Sequence, residues 1–257
     1  MTLHVHIAGE PAAPAIVFLH GAGIPGWMWE PQVLALSPRY RCIVPDLPGH
    51  GDSKTVTWVS IADTAPQIAQ IIREQAQGKA NVVGLSLGAQ VVLQMLNDHP
   101  EVIDHAILSG MRLVRSRLAE SLAGLSAPMM RVEWLVRATA KQMVPAEYIE
   151  RFVAEAKSAP SAALQKITDD SLRFTLPANL ATVTVPALIL AGEKEPNLVK
   201  DSLPIAANAL SNSQARIAPK VNHVWNMENA ALFNRTVEAW VTDQPLPEEL
   251  LSISNHR

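Results

Sequence analysis

Six short runs of the chain are dominated by apolar residues without strict alternation. They are "AIVFLH" (15–20), "RCIVPD" (41–46), "ANVVGL" (80–85), "HAILSG" (105–110), "PALILAG" (186–192) and the weaker "SQARIAP" (213–219). A strand with one wet face alternates apolar and polar residues; a strand covered on both faces has no need to, and that habit belongs to parallel sheets. Stretches of helical length lie between the runs. "ADTAPQIAQIIREQAQ" (62–77) puts Ile68, Ile71 and Ile72 on one face, and "GAQVVLQMLNDHP" (88–100) opens at Gly88 and stops at Pro100. Strands alternating with helices predict βαβ units, and so an α/β fold with a doubly wound, mostly parallel sheet.

Residues 111–180 break the alternation. They are rich in Leu, Ala, Met and Arg, and Pro128, Pro145, Pro160 and Pro177 cut them into pieces of short-helix length. Because the strand pattern resumes near Ala187, the expected organisation is one core, residues 1–110 and 186–257, carrying a helical cap at 111–185.

Composition narrows the partners. A chain of 257 residues that is 48% hydrophobic can bury one large core. Its 21 Lys and Arg against 24 Asp and Glu give a net charge of -3, which argues against nucleic acid or another polyanion. A single cysteine, Cys42, excludes an intrachain disulfide. The first residues carry no charged leader followed by a long apolar stretch, and no segment has the roughly 18 consecutive apolar residues of a membrane span. A soluble cytoplasmic protein is expected.

Five loops follow the predicted strands. In "VVGLSLGAQ" (82–90), Ser86 stands between Gly84 and Gly88, after a strand and before a helix. That context gives the motif mechanical meaning: a serine presented on a sharp turn at a helix N-terminus, where unpaired N–H groups and the helix dipole favour a developing oxyanion. "FLHGAGIPGWMWEPQ" (18–32) is a Gly-rich loop after a strand, in which His20 reads as a structural histidine. In "VPDLPGHGDS" (44–53), Asp46, His50 and Asp52 read as a tightly bonded turn rather than a metal site. "LILAGEKEPNL" (188–198) carries Glu193 and Glu195, and His223 in "VNHVWNMENAALFN" (221–234) precedes the terminal helix. Chain order is thus serine, acid, histidine, each beyond the C-terminal end of a strand, where open α/β sheets build their sites. An unactivated serine needs a base, and the base needs a carboxylate to hold its tautomer.

These five motifs, in this order, resemble the α/β-hydrolase superfamily, and within it the cap-bearing bacterial esterase-like branch. The resemblance implies Ser86 as nucleophile, His223 as general base, and the backbone N–H groups of Ala22 and Leu87 as the oxyanion hole. In that family an Asp usually stands three residues beyond the glycine matching Gly192; here the position is Glu195, with Glu193 and Asp201 as the other acids in the loop. The expected reaction is cofactor-free and metal-free cleavage of a small, apolar, ester-like substrate through an acyl-enzyme. Lactone hydrolysis, C–C bond hydrolysis, perhydrolysis and a ligand receptor with little turnover are the alternatives the same fold allows. Dehalogenase and epoxide hydrolase chemistry is disfavoured, because those relatives carry Asp where Ser86 stands. Trp27, Met111, Met129, Trp134 and Trp225 are the candidate pocket residues; Arg112, just after the "ILSG" strand, reads as a helix-surface residue rather than a group pointing into the cleft.

Overall fold

A computed structural model describes residues 2–116, 132–158 and 161–253. The first part of the chain runs β1 (Val5–Ala8), β2 (Ala15–Leu19), α1 (Glu30–Leu36), β3 (Arg41–Pro45), α2 (Ile61–Gln75), β4 (Ala80–Leu85), α3 (Leu87–Asp98) and β5 (Ile103–Ser109). Three helices then intervene, α4 (Glu133–Met143), α5 (Ile149–Ser158) and α6 (Ser161–Arg173). The remainder contains β6 (Ala187–Gly192), α7 (Ser202–Ala209), β7 (Ser213–Ala218), α8 (Ala230–Val241) and β8 (Leu251–Ser252).

The eight strands form one sheet in the order β1-β3-β2-β4-β5-β6-β7-β8. The six central strands pair in parallel, and only β1 against β3 and β8 against β7 are antiparallel. This is the α/β-hydrolase type of doubly wound sheet. All six apolar runs become the parallel strands, and every residue of β2, β4 and β6 is buried. Successive side chains point to opposite faces. Accordingly Val17 and Leu19 of β2 join the apolar cluster with Ile68, Ile72, Val92 and Leu96, while Ile16 and Phe18 join the one with Trp29, Leu36 and Phe233. Helices cover both faces, which is why the runs need no alternation.

The two outer strands had no counterpart among the predicted ones. β1 is four residues long and only partly buried, and β8 has two exposed residues. Each pairs along one edge only, so burial imposes no apolar run on it. Among the described residues no helix is long and apolar enough to cross a membrane.

Strand order reverses at β2 and β4: from β2 the chain moves to β3 on one side, then returns to β4 on the other. The crevice beyond the C-terminal ends of such a pair is where α/β sheets hold their ligands. His20 and Ser86 are the first residues past those two ends.

Helix α6 closes over this crevice. A methyl group on Gly49 would stand 3.2 Å from Ile167 Cδ1, and one on Gly23 would stand 3.9 Å from Leu164 Cδ1. Polar contacts clamp the helix down. Asp170 Oδ2 accepts the Trp58 indole N–H at 3.2 Å and the Ile61 N–H at 2.8 Å. Gln90, on α3, donates to the carbonyls of Ser171 and Arg112, and the Ser171 hydroxyl donates back to Gln90 Oε1.

Candidate active site

Ser86 has φ 57° and ψ -113°, a backbone state that an L-residue adopts at a cost of order 1–3 kcal/mol. The surroundings hold it there. Its N–H donates to the Ser109 carbonyl at 2.8 Å, continuing the β4–β5 pairing, and its own carbonyl accepts from Gln90 N–H as α3 begins. Both flanking glycines are required by close approach. A Cβ at Gly84 would lie 2.4 Å from the Gly88 carbonyl oxygen, and one at Gly88 would lie 2.1 Å from the Leu19 carbonyl oxygen. The turn is thus pressed onto its own helix and onto the end of β2, and a Cβ on Gly21 would lie 3.4 Å from Ser86 Cβ. Ala22 follows Gly21, and Leu87 opens α3, whose first-turn N–H groups have no intrahelical acceptor.

Glu195 and His223 meet against Gly110, one residue past the Ser109 carbonyl that holds the Ser86 N–H. Oε2 of Glu195 accepts the His223 Nδ1–H at 2.6 Å, while Oε1 accepts the Gly192 N–H at 2.9 Å. The Glu195 N–H in turn donates to the Gly192 carbonyl at 3.1 Å, so side chain and backbone close a reciprocal turn. That turn absorbs the extra methylene of glutamate relative to aspartate. The carboxylate is fully buried, and a buried charge survives only when its oxygens are bonded. The other two acids of the loop lie elsewhere. Glu193 is exposed and caps the Lys220 N–H, and Asp201 is exposed. A histidine whose Nδ1–H donates to a carboxylate leaves Nε2 as the ring nitrogen able to accept a proton.

Gly110 links the pair to the serine. It follows Ser109 with φ +64°, and a Cβ on it would lie 2.8 Å from His223 Cε1 and 3.5 Å from Glu195 Oε1. The imidazole therefore rests on the Gly110 backbone, one residue from the carbonyl that holds Ser86. The run "ILSG" reads from sequence as a strand end only; nothing in its residue types marks Ser109 or Gly110 as part of a site.

The histidines of the two upstream loops are structural. His20 Nδ1 donates to the Gly21 carbonyl at 2.8 Å, and its Nε2 accepts the Leu47 N–H at 2.9 Å. His50 Nδ1 donates to the Pro48 carbonyl, and its Nε2 accepts the Gly23 N–H at 3.1 Å. Burial pushes His20 down to about 4, and burial together with its neighbour His20 pushes His50 down to about 3. Two neutral rings, packed edge to face at 4.7 Å, thus tie the Gly-rich loop to the "PDLPGHGDS" loop. Asp46 completes that loop, taking the Gly26 and Asp52 N–H groups on its two oxygens. His4, Asp46 and Asp52 gather potential metal donors within 4.8 Å of one another at this edge of the sheet. His20, Gly21 and Ser86 are not among them.

The candidate pocket residues scatter. Trp225 is fully buried, bonds Ser109 and packs on Phe233. Trp134 is 69% exposed on α4, because its helix turns the indole outward. Trp27 stacks on Tyr148 and lines a cleft of about 810 Å³ with Asp46, Tyr148 and Arg151, whose lining includes neither Ser86, His223 nor Glu195. Met111 is buried directly after Gly110. Met129 lies outside the described residues. Arg112 donates to the Leu172 carbonyl and so serves the attachment of α6.

A serine on a strained strand-to-helix turn and a carboxylate–imidazole pair, both set against the end of β5 in a doubly wound sheet, define a protein of the α/β-hydrolase fold. The model of the alpha/beta hydrolase family matches residues 16–236, and the chain belongs to that family. Several of its relatives are named as hydrolases, esterases or lactonases. The chain is 27% identical to the pimeloyl-(acyl-carrier protein) methyl ester esterase of Aeromonas hydrophila, with 94% of this chain and 100% of that one covered. Over 92 residues, 36% of this chain and 35% of the other, it is 36% identical to 3-oxoadipate enol-lactonase 1 of Acinetobacter baylyi. The crystal structure of the enol-lactonase from Burkholderia xenovorans superposes with a TM-score of 0.79 at 23% identity, covering 93% of this chain and 96% of that one.

Proposed function

We propose that the protein is a serine hydrolase that cleaves a small carboxylic ester or related acyl compound through an acyl-enzyme. The observation that carries this reading is the 2.6 Å bond between His223 and the buried Glu195, on the strand end whose Ser109 carbonyl holds the Ser86 N–H. Ser86 Oγ attacks the substrate carbonyl carbon while His223 Nε2 takes the hydroxyl proton. Glu195 stabilises the resulting imidazolium and keeps its ring oriented. The N–H groups of Ala22 and Leu87 receive the oxyanion; one such donor is typically worth about 2.7–4 kcal/mol in the transition state. Collapse of the tetrahedral intermediate breaks the C–O bond, and His223 returns the proton to the leaving alcohol. Water, deprotonated by the same imidazole, then releases the acid and restores Ser86.

The local likeness to an enol-lactonase supports a second reading, in which the scissile ester lies within a ring. The same groups act, and the leaving alcohol stays tethered to the acyl chain.

Turnover of p-nitrophenyl acetate and butyrate, with a fluorophosphonate probe, tests the serine mechanism. Wild type should turn over and be labelled at Ser86, whereas Ser86→Ala should do neither. Folded wild-type protein that is not labelled would sink the proposal. A panel of lactones beside linear esters of matched acyl length separates the two readings.

A further inference from the structure

His223 and Ser86 come from loops 137 positions apart in sequence, yet the proposed reaction needs them held within a fraction of an ångström. Ser109 is where the two loops meet. Its carbonyl takes the Ser86 N–H at 2.8 Å, and its Oγ takes the Trp225 indole N–H at 2.9 Å. Trp225 stands two residues after His223, and both partners of this bond are fully buried. The indole packs edge to face on Phe233, with ring centroids 4.6 Å apart. Asn226 holds the next position, donating to the Met28 carbonyl while its own carbonyl accepts from Gln32.

We infer that Trp225 is a positioning residue, whose indole N–H, bonded to Ser109 Oγ, sets the placement of His223 against Ser86. The inference rests on the acyl-transfer reading above. Core packing alone calls for the volume of an indole and not for the direction of its N–H. A buried indole in this fold does not need such a bond: among the described residues the indole nitrogens of Trp27, Trp29 and Trp240 are buried and unbonded, whereas that of Trp58 bonds Asp170. The Trp225 N–H differs in being bonded to the strand residue that also holds the nucleophile. Loss of the bond leaves His223 still paired with Glu195 but frees their common frame to drift from Ser86.

The test compares Trp225→Phe, Ser109→Ala and the double variant. Each is assayed for kcat and KM on p-nitrophenyl butyrate, for melting temperature, and for the proton resonance of the His223 Nδ1–H shared with Glu195. Each single variant should lower kcat by about tenfold or more, since sub-ångström misplacement has costs of that order. KM should stay within about twofold, because substrate contacts are untouched. The double variant should lose no more than either single one, as both remove one bond. The His223 resonance should shift or broaden. An unchanged kcat per folded molecule, whatever the melting temperature, overturns the inference. Ser109→Ala keeps the indole, so it decides the matter by the same criteria if Trp225→Phe does not fold. If wild type neither turns over nor is labelled, the acyl-transfer reading fails on its own account. The resonance then decides: unmoved in Ser109→Ala, it overturns the positioning role as well.

Discussion

Oε2 of Glu195 lies 2.6 Å from Nδ1 of His223, and the same side chain reaches back through Oε1 to the N–H of Gly192, 2.9 Å away. One buried carboxylate therefore closes its own loop and orients the imidazole together. The backbone turn from Gly192 to Glu195 takes up the length that distinguishes glutamate from aspartate.

Glu195→Gln keeps the size and removes the charge. The amide cannot stabilise an imidazolium, and its NH2 group can satisfy neither Gly192 N–H nor Nδ1–H. A fall in kcat on the order of a thousandfold to ten-thousandfold is expected, with KM little changed. Glu195→Asp retains the charge but cannot span both partners, so its loss is smaller, on the order of tenfold to a hundredfold. Steady-state kinetics of the pair measure this. Equal activity in Glu195→Gln and wild type would assign the acid to another residue.

Ser86→Gly relieves the backbone at φ 57° that serine holds at a cost. Stability should rise by up to about 1 kcal/mol while turnover and fluorophosphonate labelling vanish. Urea unfolding of the two proteins at one pH reads the first effect. A destabilised glycine variant would show that the turn is not strained.

Gly110→Ala puts a methyl group where His223 lies, 2.8 Å from Cε1, at a φ of +64°. Both the clash and the left-handed backbone act against it, for a stability loss of about 1–2 kcal/mol. The ring must also move, so kcat should drop at least about tenfold. A variant that loses stability yet keeps full kcat per folded molecule would separate Gly110 from the placement of His223.

The neutral pair His20 and His50 gives stability a pH dependence with a definite sign. Folded, they titrate at about 4 and about 3; unfolded, both return to the ordinary 6.5. The unfolded chain therefore binds more protons between those limits, and stability rises with pH there. It is complete above about 6.5 and is lost as pH falls below that, at up to about 1.4 kcal/mol per pH unit for each ring. Urea midpoints between pH 7 and pH 4.5 measure the slope, and His20→Gln, which preserves the acceptor towards Leu47 N–H, should flatten it. A wild-type midpoint independent of pH across this window would contradict the assignment.

From the sequence alone, the parallel strands and helix α3 were legible, because strands buried on both faces must be apolar throughout and a helix bounded by glycine and proline announces its ends. The serine turn and the histidine after β7 were legible for the same reason: each follows a strand whose end could be read. What lay beyond reach depends on contacts between distant segments. The resemblance singles out Glu195 over Glu193, but the residue types of the loop do not separate them; the burial of Glu195 against His223 and the exposure of Glu193 come from the fold. Trp225, two residues after His223, packs against Phe233 and bonds Ser109, contacts that its residue type does not announce. The edge strands β1 and β8, paired on one side and short, left no apolar signature. Local sequence determines which residues must be buried and where the chain must turn, since those costs are local. Which buried group faces which is decided only when the sheet brings together loops from different strands, as with Glu195 and His223, 28 positions apart, or Ser109 and Trp225, 116 apart.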